Sequence, residues 1–168
     1  MAAARVLVCD DSALLRSVLR DTLDGAGLDV VGHARDGTEL VEAVKRHQPD
    51  VVTLDVEMPG MNGVEALRAL MAERPTPVVM VSSLTESGAA VTADALAAGA
   101  VDAFCKPSGS RGVTGWNGVA DELVGKVRAA AGVSPGRLGR RTSTPATAAR
   151  PRAAGTTTPL VVIATSTG

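Results

Sequence analysis

Three carboxylates fall where short β-branched runs end: Asp10 and Asp11 after Arg5-Val-Leu-Val-Cys9, and Asp55 after Val51-Val-Thr-Leu54. Brought together, such charges repel one another strongly at low effective dielectric unless they share a cation or take up a proton. A hard divalent ion with oxygen ligands relieves the repulsion, and Mg²⁺, which keeps several of its waters, suits so small a cluster. The other reading of Asp10 and Asp11 is that they help start the following helix through its dipole. Ser82 follows Val78-Val-Met-Val81, and Lys106-Pro107 follows Ala100-Val-Asp-Ala-Phe-Cys105. A hydroxyl and an ammonium converging on a metal-bound carboxylate make a site for a tetrahedral dianion. In that setting Asp55 is a nucleophile that takes a phosphoryl group in line. Taken singly, Ser82 reads as well as a loop hydroxyl and Lys106 as a surface cation. Five positions at four strand ends point to one chemistry.

Positioning them calls for a sheet. The runs at 5–9, 29–33, 51–54, 78–81 and 100–105 are rich in residues that suit strands buried on both faces. Between them lie helical patterns with apolar residues three to four apart: Leu15, Leu19 and Leu23, then Leu40, Val41 and Val44, then Val64, Leu67 and Leu70. Ser12 is placed to cap the first helix and Gly25 to end it. Residues 89–98 are alanine-rich, and 116–131 carry Val119, Leu123 and Val127 on one face. Alternating strands and helices imply an α/β fold with a parallel sheet, whose ligands bind at the carboxyl ends of the strands.

The chain has 168 residues, 45% of them hydrophobic and 21% charged, as expected of a globular protein. No apolar run approaches the roughly 20 residues that span a bilayer, and Met1-Ala-Ala-Ala-Arg5 lacks the features of a signal peptide, so a cytoplasmic location is expected. Cys9 and Cys105, the only cysteines, read as small buried thiols, and His33 and His47 as structural. The net charge of −1 predicts neither nucleic-acid nor membrane attraction, but it averages unlike parts. Residues 1–132 hold all eighteen acidic side chains and twelve of the basic ones, whereas 133–168 hold five arginines and no acid. From Val133 to Pro159 the Ser, Thr, Pro, Ala, Gly and Arg composition fits a flexible linker. Leu160-Val-Val-Ile-Ala164 then resumes a buried-strand pattern, as a second domain would.

Asp10-Asp11, the run from Leu54 to Gly63 with Met58-Pro59, Ser82 and Lys106-Pro107 resemble the response-regulator receiver domain of two-component signalling. The resemblance implies a flavodoxin-like, doubly wound five-stranded parallel sheet in the order 2-1-3-4-5. It implies Asp55 as phosphoacceptor from a histidine kinase, with Ser82 and Lys106 binding the phosphoryl group. Mg²⁺ would be held by Asp11, Asp55 and the Glu57 backbone carbonyl, with Asp10 acting largely through water, and Lys106-Pro107 would be cis. Many receivers carry an aromatic switch residue three positions before the lysine. Here Ala103 stands there, and strand alternation turns the neighbouring Phe104 to the other face.

Thr53–Pro59, Pro77–Thr85 and Leu160–Gly168 further resemble the chemotaxis protein-glutamate methylesterases. On that resemblance residues 4–131 are the receiver, 132–158 the linker and 159–168 the first strand of the catalytic domain. Ser166 would be the esterase nucleophile, although Ala164-Thr165 stand where that family has Gly-Ala. Such an enzyme hydrolyses glutamate methyl esters, and deamidates glutamines, on the cytoplasmic helices of chemoreceptors, and its own receiver gates the catalytic domain. A serine hydrolase needs a histidine base. Neither His33 nor His47 suits that role, so these 168 residues alone are expected to lack esterase activity. The alternative is a receiver with another output, a DNA-binding regulator or a stand-alone signalling module, although a strand rather than a helix-turn-helix follows the linker.

Overall fold

The computed structural model describes residues 2–83, 86–107 and 115–138, in which five strands alternate with five helices. In chain order these are β1 (Arg5–Cys9), α1 (Ala13–Gly25), β2 (Asp29–Ala34), α2 (Gly37–His47), β3 (Val51–Asp55), α3 (Gly63–Glu73), β4 (Val78–Ser82), α4 (Glu86–Ala97), β5 (Asp102–Cys105) and α5 (Ala120–Ala131). The strands are all parallel, in the order β2-β1-β3-β4-β5, as the resemblance implied.

Every residue of β3 and β4 is buried because helices cover both faces. Alternation along the strands divides the core. Leu7, Leu54 and Met80 face α2, α3 and α4, where they meet Leu40, Leu67, Leu70 and Ala95. Val8, Val81 and Phe104 face α1 and α5, where they meet Leu19, Leu23, Leu123 and Val127. Phe104 lies on this second side with its ring centroid 5.8 Å from that of Trp116, while Ala103 packs on the first. The two neighbours do face opposite ways.

Local chemistry sets the helix starts. The Ser12 side chain accepts from Leu15 N–H, Asp36 accepts from Thr38 and Glu39, and Asn62 and Glu65 close a capping box. Two elements begin later than the sequence expectation. β5 begins at Asp102 because Gly99, at φ 116°, turns the chain and Ala100 N–H donates back to Ala95. α5 begins at Ala120, after a turn in which Val119 and Ala120 N–H both donate to Trp116 O. Val119 has no side-chain oxygen with which to cap a helix.

Cys9 is buried as expected, but Cys105 is exposed: it is the last residue of β5, an edge strand of the sheet. The peptide bonds of the described residues are all trans, Lys106–Pro107 included. Trans is the lower-energy X–Pro form, by about 0.5–1 kcal/mol, and Lys106 reaches its carboxylate partners with the bond trans. Of the expected linker, residues 132–138 are described. Arg137 N–H donates to Ser134 O there, and the Leu138 side chain is buried. The strand-like run from Leu160 and Ser166 lie outside the described residues.

Thr53 lies in the middle of β3, in register with Val8 and Val79, and its buried hydroxyl has no hydrogen-bond partner. An unpaired hydroxyl costs stability that a methyl of the same shape does not. Thr53→Val is therefore expected to stabilise the fold by about 1 kcal/mol, read as a higher urea midpoint at unchanged slope. A lower midpoint would contradict this.

Candidate functional site

The carboxyl ends of β1, β3 and β5 bring Asp10, Asp11, Asp55 and Lys106 together. Asp10 is 0% and Asp55 2% exposed, while Asp11 stands open to solvent. One carboxylate oxygen from each lies within 4.8 Å of the other two. Lys106 Nζ sits 2.9 Å from Asp55 Oδ1 and 3.3 Å from Asp10 Oδ2. Three carboxylates and one ammonium leave an excess of two negative charges, which a divalent cation balances.

Hydrogen bonds fix the two buried carboxylates. Asp10 Oδ1 accepts from Ser12 N–H at 2.9 Å, and Asp55 Oδ1 accepts from Glu57 N–H at 3.1 Å as well as from Lys106. Asp10 Oδ2 is buried and has no hydrogen-bond donor, because Lys106 approaches it at ion-pair distance without the alignment a hydrogen bond needs. A buried carboxylate oxygen without a donor, beside two further carboxylates, is the donor set a hard cation takes.

The electrostatics agree. Burial, with the Asp10 charge adding to it, outweighs the pull of Lys106 and pushes Asp55 up to about 6. Burial likewise raises Asp10 against the attraction of Lys106. Burial works to lower the Lys106 ammonium, but Asp55 and Asp10 outweigh it and hold it above its ordinary value. The Cys9 thiol, at the end of β1, is pushed up by burial first and by neighbouring carboxylates, so it stays a protonated packing group.

Ser82 is buried at the end of β4, with its hydroxyl 3.3 Å from Thr92 Oγ1 of α4. Ser83 Oγ donates to Glu57 Oε1 at 2.8 Å, tying the β4 end to the loop after β3. Sequence reasoning gave no individual role to three residues that shape this region. Arg16 Nη1 donates to the carbonyls of Asp10 and Asp11, at 2.7 and 3.1 Å, and so holds the β1–α1 turn. Its place one turn after the Ser12 cap was a signal for that role. Gly63 lets α3 start against the backbone leaving β3, since a Cβ there would lie 2.3 Å from Asp55 O. Thr92 carried no signal in an alanine-rich helix. No helix of the described residues is long and apolar enough to cross a membrane.

Comparison with known proteins agrees with this geometry. A protein-glutamate methylesterase/protein-glutamine glutaminase from Symbiobacterium thermophilum is 56% identical over 132 residues, which are 78% of this chain and 36% of that protein. Its namesake from Thermotoga maritima is 48% identical over 135 residues, 80% of this chain and 39% of that protein. The chain thus spans less than two-fifths of the length of these relatives. The response regulator domain of Thermotoga maritima CheB, a crystal structure, is 52% identical with a TM-score of 0.71, and the match covers 79% of this chain and 99% of that one. Residues 6–114 match the response regulator receiver domain, a span that takes in all the carboxylates of the cluster and Lys106, and the chain belongs to that family.

Proposed function

We propose that residues 4–131 are the phosphorylation-controlled receiver of a protein-glutamate methylesterase and glutamine deamidase. Residues 132–158 lead from it to the catalytic domain, of which 159–168 would be the N-terminal fragment, with Ser166 as nucleophile. The observation that carries the receiver chemistry is Lys106 Nζ lying between Asp55 and Asp10, in a cluster whose excess charge is that of a divalent cation's complement.

Asp10, Asp11, Asp55 and the Glu57 carbonyl would hold Mg²⁺. When bound, that ion offsets the charge of the carboxylates and of an incoming phosphoryl group. Asp55 Oδ1 is occupied by Lys106 and Glu57 N–H, which leaves Oδ2 as the nucleophile. Oδ2 attacks phosphorus as the bond to the donor's nitrogen breaks, and the electron pair leaves with the imidazole of the donor histidine. Lys106 and Ser82 then neutralise and hydrogen-bond the transferred group. The donor is a chemotaxis histidine kinase, the regulated partner is the chain's own catalytic domain, and the substrates are methylated helices of chemoreceptors in the cytoplasm. Nothing in this scheme contacts nucleic acid or enters a membrane.

Incubation with a small phosphodonor tests the receiver chemistry. In Mg²⁺ the protein should gain up to one hydroxylamine-labile phosphate per chain, and in chelator none. Absence of phosphate in Mg²⁺ overturns it. The gating is tested in the protein that carries its whole catalytic domain, where phosphorylation should raise the rate of methyl-ester hydrolysis. An unchanged rate removes the gating but not the receiver.

A further inference from the structure

A cleft of about 670 Å³ opens along β2, at the opposite edge of the sheet from β5, between α1 and the end of α2. Arg16, Arg20, His33, Arg46 and His47 line it together with Ser17, and no aspartate or glutamate does. Residues 1–132 carry eighteen acidic side chains against twelve lysines and arginines, so three arginines and two histidines gathered without an acid run against the charge of the domain around them. Arg46 and His47, in the last turn of α2, suit the dipole of that helix. Arg16 and Arg20 stand one turn apart on α1 and owe nothing to that dipole, yet they border the same cleft.

Ion pairing leaves most of this charge free. Arg20 meets Asp24 at 3.5 Å on the open surface, where such a pair is weak. His33 has Glu39 as its acidic neighbour, but that carboxylate is already held by Arg35. Arg16 gives Nη1 to the carbonyls of Asp10 and Asp11, which fixes its guanidinium and leaves the remaining N–H groups of the fork to donate. Arg46 has no hydrogen-bond or ion-pair partner among the described residues.

The wall formed by β2 permits a close approach. The His47 ring fills the space that a Cβ on Gly32 would need, with Cδ2 2.8 Å from that position, so the glycine lets the imidazole lie against the strand. Pairing with β1 slips beside it: Val6 faces Val30 and Leu7 faces Gly32, which leaves Val31 as an extra residue. A bulged edge resists the addition of a further strand, so the cleft suits a compact anion rather than an extended acidic peptide. Its volume falls within the roughly 300–1,000 Å³ of small-ligand sites.

We infer that this cleft is a binding site for an anion bearing two or three linked phosphates, held by Arg16, Arg20 and Arg46 with His33 and His47 as further donors. A linked polyphosphate presents charged oxygens along its length, which cations on α1, β2 and α2 can engage together. The inference does not rest on the phosphoryl-site reading, because none of Asp55, Ser82 and Lys106 borders the cleft.

Inorganic triphosphate is the probe, used on the chain as it stands and in chelator, where no divalent ion can bridge the anion to the carboxylate cluster. Calorimetry should give one saturable site per chain, and amide NMR should place the shifts at Ser17, Gly32, His33 and His47. Arg20→Gln combined with Arg46→Gln should weaken binding about tenfold or more, and Arg46→Gln alone, which keeps the test open if the double variant folds poorly, should weaken it in the same direction. Arg68→Gln removes an exposed arginine of α3 outside the cleft and should leave the affinity unchanged. ATP separates the sources of the ligand: binding tighter than that of triphosphate makes it a nucleotide, and weaker binding makes it free polyphosphate. No saturable binding at millimolar triphosphate, shifts confined to the arginine-bearing stretch 137–152, or equal affinity in wild type and the Arg20 and Arg46 variants overturns the inference. Hexaglutamate binding in this cleft as tightly as triphosphate also overturns it, in favour of an acidic peptide.

Discussion

Asp55→Asn takes up no phosphate from a small phosphodonor in Mg²⁺, a loss of at least about a thousandfold in rate, of the size seen when a nucleophile is removed. The amide keeps the shape of the side chain but offers no anionic oxygen to phosphorus. Asp10 and Asp11 are too close to be dismissed as substitutes on distance alone, with oxygens within 4.8 Å of Asp55. Asp10, however, has Oδ1 held by Ser12 N–H and Oδ2 buried beside Lys106, and Asp11 stands exposed at the rim. Phosphate on Asp55→Asn at even a tenth of the wild-type level would move the acceptor to another residue. The same variant separates chemistry from folding. With Asp55 pushed up from its ordinary 3.8 to about 6, the folded state binds the proton more tightly than the unfolded chain. Its contribution is therefore most favourable below pH 4 and is lost as pH rises through about 6. In chelator at pH 7.5, Asp55→Asn should be the more stable protein, by on the order of 2 kcal/mol, and wild type should gain more from added Mg²⁺. A variant that is both inactive and less stable in chelator would mean that Asp55 supports the fold.

Gly63→Ala should cost about 3 kcal/mol or more, seen as a large fall in the urea midpoint. A Cβ at this position would lie 2.3 Å from Asp55 O and 2.8 Å from Val56 Cα. Both obstacles are backbone, so no rotamer change relieves the clash. Gly63 N–H also donates to Val56 O at 3.0 Å, and pushing α3 away breaks that bond. The strain falls on the residue that carries the candidate nucleophile, so Mg²⁺ affinity should drop with stability. Gly125→Ala is the contrast: it sits inside α5 with nothing within 4 Å of its Cβ, and alanine there should stabilise by roughly 0.5–1 kcal/mol. Equal midpoints for the two alanine variants would show that α3 tolerates displacement.

The parts of the site that sequence discloses are those whose evidence is local. Asp10, Asp11, Asp55, Ser82 and Lys106 follow strand-forming runs directly, and a parallel sheet gathers its strand ends whatever the loops do. Ser12 was legible as a cap because capping is a contact three residues long. The site residues that escaped depend on partners distant in sequence or on atoms without a sequence signature. Thr92 reaches Ser82 across ten residues of loop and helix, and what makes Gly63 obligatory is the carbonyl of Asp55. Cys105 misled for a related reason: its apolar run suits a core strand, but β5 is an edge strand and its last residue lies open. The turn over 116–119 shares the apolar spacing of α5, and periodicity does not say where a helix lacking a cap begins.

The pairing of Phe104 with Trp116 has an optical consequence. The chain has one tryptophan and no tyrosine, so its near-ultraviolet emission comes essentially from a single indole. That indole is buried on the α1 and α5 side of the sheet, the face opposite α4. Emission therefore reports collapse of one layer and stays blind to rearrangement of the other. A variant that dims or red-shifts has lost its scaffold, whereas one that alters the α2, α3 and α4 side alone leaves the spectrum of the native protein.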